Sequence, residues 1–243
     1  TAALVTTDTL VVAGSATVTI SDAITIAQLT AIDAKTSGTL TYTSISDTAS
    51  NLATNTGSYV TSDVDVTVTN GITAAQLVTI NAATTGDITL DDTNDSLTDS
   101  TADLVSAFTG NVTAYTGVIT INDAATTAIA ATDLSDIGGE TSGVVTVTNA
   151  IVISGTEAQM TAALVTADTL VVAATAVVTI SDAATTAIDA TDLSAIGGKT
   201  SGVVTVTNAI AISGTEAQVT AALVTTDTLV VAATAVVTIS DAA

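Results

Sequence analysis

The acidic stretch DITLDDTNDSLTDSTADL at 87–104 holds the densest group of metal-ligand side chains in the chain. Carboxylate oxygens are the ligands that calcium prefers, so we expect a calcium site in this stretch. Its ligands would be Asp91, Asp92, Asp95, Asp99 and Asp103. An EF-hand loop starting at Asp91 is incomplete, because Ser96 stands at the glycine position and Ala102 at the position of the bidentate Glu. The alternative is a solvated insertion whose aspartates cap helices.

Catalytic chemistry has little support in the residue types. The chain has no His and no Cys, and both of its basic residues are Lys, so the usual general bases and thiol nucleophiles are missing. Carboxylate pairs remain at Asp91–Asp92 and Asp133–Asp136, but aspartates at solvated turns are far commoner than catalytic pairs. The Gly138–Gly139 and Gly197–Gly198 pairs follow helical patterns, which indicates helix ends rather than phosphate loops. We therefore predict that the protein is not an enzyme.

The charge balance excludes one class of partner. Twenty-four acidic residues face two lysines, for a net charge of −22, so the chain lacks the basic patch that nucleic-acid binding requires. All but three of the acids are Asp, although Glu is the better helix former, and this favours roles in turns, caps or cation binding. With almost no internal counter-charge, the chain must carry cations around it, and we expect calcium as a structural cofactor.

The apolar content is high enough for folding, at 47% of residues and a mean hydropathy of +0.65. Aromatic residues make up only 2%, so Ala, Val, Ile and Leu should form a thin, layered core. The most apolar stretch, 161–180, is interrupted by Asp168 and several threonines, so no membrane span is predicted. The chain begins with Thr and has no charged leader, so we interpret it as a mature or internal segment.

Internal repetition organises the sequence. Two nearly identical 59-residue repeats occupy 121–179 and 180–238, and the opening TAALVTTDTLVV at 1–12 returns at 220–231. The chain thus begins and ends part-way through a repeat. We expect a single repetitive segment over 1–243, cut from a longer array.

A shorter unit recurs inside the long one. Strand-like segments such as TVTISD (17–22) and VVTISD (177–182) recur every 22 to 33 residues, and most precede an Ala- and Leu-rich stretch with helical spacing and then a turn. Strand, helix and turn together make one coil. We therefore predict an α/β solenoid whose coils form a parallel β-sheet, with a parallel β-helix as the alternative.

Each strand-like segment ends in Asp or Asn. Side chains alternate along a strand, so Asp182 should share the inward face with Val178 and Ile180. The positions of this row are Asp22, Asp47, Asn70, Asp92, Asp123, Asn149, Asp182, Asn208 and Asp241. A buried polar group without a partner costs about 1–3 kcal/mol. We expect each member to cap the helix that follows and to bond the main chain of the neighbouring coil.

The opposite strand face is rich in hydroxyl groups, for example Thr67, Thr69, Thr179 and Ser181. Stacked at about 4.8 Å, they would form a flat surface that resembles the ice-binding faces of antifreeze solenoids. Thr is also a good strand former on a wet face, so a packing or adhesion surface is our main interpretation.

Two family resemblances follow from these motifs. The inward Asn after a strand resembles the asparagine ladder of leucine-rich repeats, although six of the nine positions are Asp and Val, Ile and Ala replace the Leu consensus. The tandem phrases TVTISDA (17–23) and VTVTNA (145–150) resemble the very large repetitive cell-surface proteins of bacteria, cyanobacteria especially, including S-layer proteins and giant calcium-dependent adhesins. This second resemblance implies secretion, calcium-rich surroundings and a structural or adhesive role.

We therefore expect a non-enzymatic extracellular structural protein located at the cell surface. It would be a segment of a surface layer or filament, extended at its ends by head-to-tail self-association or by covalent continuation in a longer chain. The alternative is a calcium-dependent adhesin or a module that binds a surface, a glycan or ice.

Overall fold

The structure, a computed structural model, describes residues 14–90, 96–113 and 115–241. These residues form two compact units. The first contains the described residues up to Leu97 together with Ser106–Gly117, and the second contains Thr98–Val105 and those from Val118 onward. Both units are α/β, and every strand pair that the structure describes is parallel. The predicted fold class is thus confirmed as α/β with parallel sheets.

The first part of the chain alternates short strands with short helices. In chain order the elements are β1 (Val18–Thr19), α1 (Ile26–Asp33), β2 (Leu40–Thr41), β3 (Ser44–Asp47), α2 (Ala49–Thr54), β4 (Asp65–Val68), α3 (Ala74–Ala83), β5 (Ile88–Leu90), β6 (Ser96–Asp99), α4 (Thr101–Phe108) and β7 (Val112–Thr113). In the first unit β1 pairs with β2, and a four-stranded sheet has the order β3-β4-β5-β7.

The remaining elements belong to the second unit. They are β8 (Val118–Ile121), β9 (Ala128–Ala130), α5 (Ala131–Gly139), β10 (Val145–Val147), β11 (Val152–Gly155), α6 (Glu157–Leu164), a 3-10 turn (Ala167–Thr169), β12 (Val171–Val172), β13 (Val177–Ile180), β14 (Ala187–Asp189), α7 (Ala190–Gly197), β15 (Val204–Val206), β16 (Ala211–Gly214), α8 (Glu216–Leu223), β17 (Val230–Val231) and β18 (Val236–Ile239). None of the described helices, in either unit, is long and apolar enough to cross a membrane.

Each strand of the second unit pairs with a strand that lies one helix away along the chain. Val145 in β10, for example, pairs with Ile119 before α5 and with Val171 after α6. A parallel pair needs such a crossover, because the chain must return to the start of the sheet before the next strand begins. Five strands follow this rule in the order β9-β11-β13-β15-β17, and three in the order β14-β16-β18.

Strand β13 links the two 59-residue repeats. In the first repeat β8, β10 and β12 share one sheet, while β9 and β11 lead to β13 in another. In the second repeat the equivalent strands β13, β15 and β17 continue that other sheet, while β14, β16 and β18 form a new one. Equivalent strands of successive repeats therefore lie in different sheets, displaced by one.

Aliphatic side chains align in register across the sheets. Val178 in β13 pairs with Ile153 in β11 and with Val204 in β15, and all three side chains are almost completely buried. In the first unit Val66 is buried between Ile45 and Ile88 in the same way. Burial thus alternates with a period of two along these strands, as the sequence predicts.

The glycine pairs lie at helix ends, also as predicted. Helix α5 ends at Gly139, and α7 ends at Gly197 with Gly198 as its C-cap. A Cβ atom at Gly197 would lie 2.3 Å from the carbonyl oxygen of Thr228, far closer than atoms can approach. The helix can therefore meet the 226–229 turn only because residue 197 has no side chain.

Candidate functional site

Five of the described helices have their first N–H bound by a side chain that follows a later strand. In each case the first helical N–H donates to a carboxylate or amide oxygen 21 to 25 residues further along the chain. The bonds run from Ile26 N to Asp47 Oδ2 (2.9 Å), Ala49 N to Asn70 Oδ1 (2.7 Å), Thr101 N to Asp123 Oδ2 (2.7 Å), Glu157 N to Asp182 Oδ2 (2.6 Å) and Glu216 N to Asp241 Oδ2 (2.7 Å). We call these Asp and Asn residues the strand-end acceptors.

The partner helix differs from the one expected from the sequence. We expect each acceptor to cap the helix that follows it and to bond the main chain of the neighbouring coil, whereas the helix that these bonds reach is the one before the acceptor. Asp47 makes both contacts: its Oδ2 binds the start of α1, and its Oδ1 accepts from Thr48 N at 2.8 Å, at the start of α2. A strand-end acceptor thus joins the end of one strand to the helix that precedes that strand.

Four of the described helices also carry a capping box formed by their own residues. In α1 the Thr25 hydroxyl accepts from Gln28 N, and the Gln28 side chain accepts from Thr25 N, which together form a capping box. The same pair occurs as Thr73 with Gln76, Thr156 with Gln159, and Thr215 with Gln218. The T-x-x-Q spacing was present in the sequence, and it is the signal by which these caps could have been found.

Two asparagines in the row, Asn149 and Asn208, donate through their side-chain N–H groups, whereas the side-chain oxygen of Asn70 accepts as the aspartates do. Asn149 Nδ2 donates to the main-chain oxygen of Asp123 at 2.8 Å, and Asn208 Nδ2 donates to that of Asp182 at 2.7 Å. Asp123 and Asp182 therefore each bind a helix start with the carboxylate and offer the main-chain carbonyl oxygen to the Asn of the next strand in the sheet.

Burial along the row is uneven. Asp47 and Asp182 are buried, Asp123 is half-buried, and the other described members are exposed, namely Asp22, Asn70, Asn149, Asn208 and Asp241. Asp92 lies outside the described residues. The row is therefore a set of hydrogen-bonded strand ends at the margin of the sheets rather than a uniformly buried stack.

The predicted calcium ligands are only partly within the described residues. Asp91, Asp92 and Asp95 lie outside them. Asp99 Oδ1 accepts from Ser100 N at 2.9 Å, and Asp103 Oδ2 accepts from the Ser100 hydroxyl at 2.7 Å, so both contribute to the start of α4. Within 14–90, 96–113 and 115–241, no group of three or more Asp or Glu residues could hold a metal ion.

A short turn precedes several strands and forms hydrogen bonds to the main chain at the start of the neighbouring strand. In the T-S-G turn at 200–202, the Thr200 hydroxyl donates to Ala176 O at 2.6 Å, and Gly202 N donates back to that hydroxyl at 3.0 Å. A Cβ atom at Gly202 would lie 2.1 Å from the same carbonyl oxygen. Equivalent turns at 36–38 and 84–86 bind Ala16 O and Val64 O in the same way. Each turn sets its strand against the start of the neighbouring strand.

The last described strand repeats the sequence of an internal one. ATAVVTISD occurs at 174–182 and again at 233–241. In the internal copy Val178 and Ile180 are 0% exposed, whereas the equivalent Val237 and Ile239 are 43% and 55% exposed. The difference arises because β13 lies between two strands, while β18 pairs with β16 and with no other described strand.

The edge of β18 therefore combines free main-chain groups with exposed aliphatic side chains. Such an edge can add another parallel strand through main-chain hydrogen bonds and apolar packing. It is the described feature best suited to binding another polypeptide. No protein-family model, curated protein or solved structure matches the chain.

Proposed function

We propose that the protein is a non-enzymatic structural segment of the α/β solenoid type, with each turn built from strands and one helix. The observation that carries the proposal is the β18 edge, which has the sequence of a strand that is covered elsewhere in the chain. Further turns added at this edge would bury Val237 and Ile239 as Val178 and Ile180 are buried.

The pairing pattern supports a solenoid over a parallel β-helix. Strand-end contacts join positions 21 to 26 residues apart, and a helix lies within each such interval. In a parallel β-helix, strands and turns alone would fill it. The leucine-rich-repeat-like aspect lies in the Asn side chains that bond the neighbouring strand, as Asn208 does.

We place this segment outside the cell, in a surface layer or a filament. The supports are the net charge of −22, the absence of cysteine and the resemblance of the tandem repeats to bacterial cell-surface proteins. Extension through one end makes a heterologous contact, which continues as an open array rather than closing into a symmetric dimer. Covalent continuation and association of separate chains are the two routes to such an array.

A second candidate function is surface binding through the hydroxyl-bearing strand faces. In the first unit Ser46, Thr67, Thr89 and Thr113 align in register across four strands, and the Thr89 and Thr113 hydroxyl oxygens are 3.3 Å apart. A regular row of hydroxyls suits a glycan or an ordered water layer. Calcium-dependent adhesion would use the acidic surface beside it.

The experiment is to lengthen the chain by appending a second copy of 185–243 after Ala243. Hydrogen exchange at 236–241 should then slow to the rate seen at 177–182 in the same protein, because β18 becomes an internal strand. An appended segment with the same residues in shuffled order is the control. If the authentic repeat leaves exchange at 236–241 unchanged, the proposed extension through β18 is wrong.

A further inference from the structure

We propose that the β18 edge recognises one kind of strand, a parallel segment of the sequence Thr-Ser-Gly-Val-Val-Thr-Val-Thr-Asn such as 200–208. This inference rests on the proposed function and specifies its partner. The partner is the leading segment of another repeat, identified by its turn, its two inward valines and its terminal asparagine.

The internal copy of the edge shows what this partner must provide. In β13, Val178 pairs with Val204 and Ile180 with Val206. Val178 N donates to Val203 O at 2.9 Å, and Thr207 N donates to Ile180 O at 3.1 Å. The segment 203–208 thus covers 177–182 with both main-chain bonds and buried valines.

The same contacts occur in the first repeat. Ile119 N donates to Val144 O at 3.0 Å, and Thr148 N donates to Ile121 O at 3.1 Å. Asn149 then reaches back to Asp123 O, as Asn208 reaches back to Asp182 O. Two independent copies of one contact make the interface a property of the sequence rather than of one location.

The T-S-G turn makes the recognition more selective than edge pairing alone. Ser201 N and Ser201 Oγ both donate to Ala174 O, at 2.8 and 2.9 Å, while Thr200 Oγ1 donates to Ala176 O. The residues equivalent to Ala174 and Ala176 at the β18 edge are Ala233 and Ala235. A partner without glycine after Thr-Ser would clash there, as the 2.1 Å approach at Gly202 shows.

A second folded copy of this chain does not offer such a strand. Its two VVTVTN segments lie in β10 and β15, and each already has a partner on both sides. The occupant is therefore a repeat whose leading strand is still unpaired. That strand pairs with β18 before the rest of its repeat has folded. This favours extension by a repeat that folds onto β18 over stacking of finished copies.

The test uses a fluorescein-labelled peptide of residues 200–214 and the 243-residue chain, with fluorescence anisotropy as the readout. We expect saturable binding to the protein and slower hydrogen exchange at 236–241 when the peptide is bound. The peptide variant Asn208→Ala should bind about tenfold more weakly, the effect of one lost hydrogen bond, and Gly202→Ala or Val206→Asp should abolish binding.

Matched protein variants locate the contact. Ile239→Asp places a charge in the apolar column and should abolish binding, while Thr238→Asp on the opposite strand face should leave it nearly unchanged. Ile239 is already largely exposed, so its replacement should not prevent folding, which far-UV circular dichroism will check.

Equal binding by a peptide of residues 177–191, which carries the receptor-type strand, would overturn the inference, because the edge would then accept any β-forming segment. Failure of the 200–214 peptide would overturn it as well. If the lengthened chain nevertheless protects 236–241, the proposed function stands without this partner specificity. If the lengthened chain also fails, both are wrong.

Discussion

The carboxylate of Asp182 accepts a 2.6 Å hydrogen bond from the main-chain N–H of Glu157, 25 residues earlier in the chain. Asp182 is buried, and its carbonyl oxygen also accepts from Asn208 Nδ2. One residue therefore connects a helix start and two neighbouring strands. Its removal should destabilise all three elements.

Replacing Asp182 with Ala should lower the free energy of unfolding by about 1–3 kcal/mol, because the half-buried N–H of Glu157 loses its acceptor. Asp182→Asn keeps an oxygen acceptor but loses the charge near the helix N-terminus, so its effect should be intermediate. Thr179→Ala, on the other strand face, serves as the control and should change little. Urea denaturation measures all three, and equal losses for Asp182→Ala and Thr179→Ala would contradict the assigned role.

The capping boxes predict a smaller effect. Thr156→Ala removes the acceptor for Gln159 N and should destabilise by about 1 kcal/mol. Thr156→Ser retains the hydroxyl and should stay close to the wild type. Thermal denaturation followed at 222 nm compares the variants, and an equal shift for Ala and Ser would show that the hydroxyl contributes nothing.

The glycine pair at the end of α7 offers a matched comparison. Gly197→Ala forces a Cβ atom against Thr228 O and should destabilise by about 1–3 kcal/mol through overpacking. Gly198→Ala meets nothing nearer than 3.5 Å and should be tolerated. The measurement is the difference in urea midpoint between the two variants. No difference would mean that residue 197 and Thr228 can move apart without a loss of stability.

Glu140 predicts a pH dependence. Burial, and next the negative charge of Asp136, raise the pKa of Glu140 above its ordinary value of 4.5. The folded state thus favours the protonated form, so this contribution to stability is present below pH about 4.5 and is lost as the pH rises through the raised pKa. The stability advantage of Glu140→Gln over the wild type should grow as the pH rises above about 4.5. A constant difference across that range would contradict it.

The equivalent residue in the second repeat suggests a stronger version of that experiment. Lys199 stands where the first repeat has Glu140, and Ala195 stands where it has Asp136. Glu140→Lys should therefore raise the unfolding midpoint at neutral pH, since it replaces repulsion with attraction. Lys199→Glu is the control, and it should shift the unfolding midpoint by less than Glu140→Lys does, because Ala195 carries no charge.

Calcium should raise the melting temperature more than sodium at the same ionic strength. The reason is the net charge of −22, which a divalent cation neutralises more effectively, with specific binding expected around Asp91, Asp92, Asp95, Asp99 and Asp103. Differential scanning calorimetry with and without a chelator measures this. An unchanged melting curve in moderate salt would remove calcium as a structural cofactor.

Strand faces and helix ends could be predicted from the sequence because each depends on a local rule. Burial of Val66 and Val68 beside exposed Asp65 follows from alternation, and Gly197 lies at a helix end because glycine favours such positions. Both rules need only a few neighbouring residues.

Which helix each strand-end acceptor reaches could not be predicted, because it depends on the number of residues between one strand and the next. Asp182 could reach the helix before it or the helix after it, and sequence spacing alone does not decide between them. Helix α7 begins only after the intervening strand β14, so the start of α6 is the nearer partner. The displacement of sheets at β13 could not be predicted either, because it depends on which strands pair across each helix.

That displacement limits what the hydroxyl rows can bind. Along β11, β13 and β15 the outward residues in register are Ser154, Thr179 and Thr205, but Val231 in β17 ends the row. A second row, with Ser213 and Thr238, lies in the separate sheet β14-β16-β18. An array of such repeats would carry its hydroxyls in separate short rows, each confined to a few strands of one sheet. A ligand that requires a long flat plane, as an ice crystal does, would lose its match within one repeat, whereas short glycan chains could bind at every row.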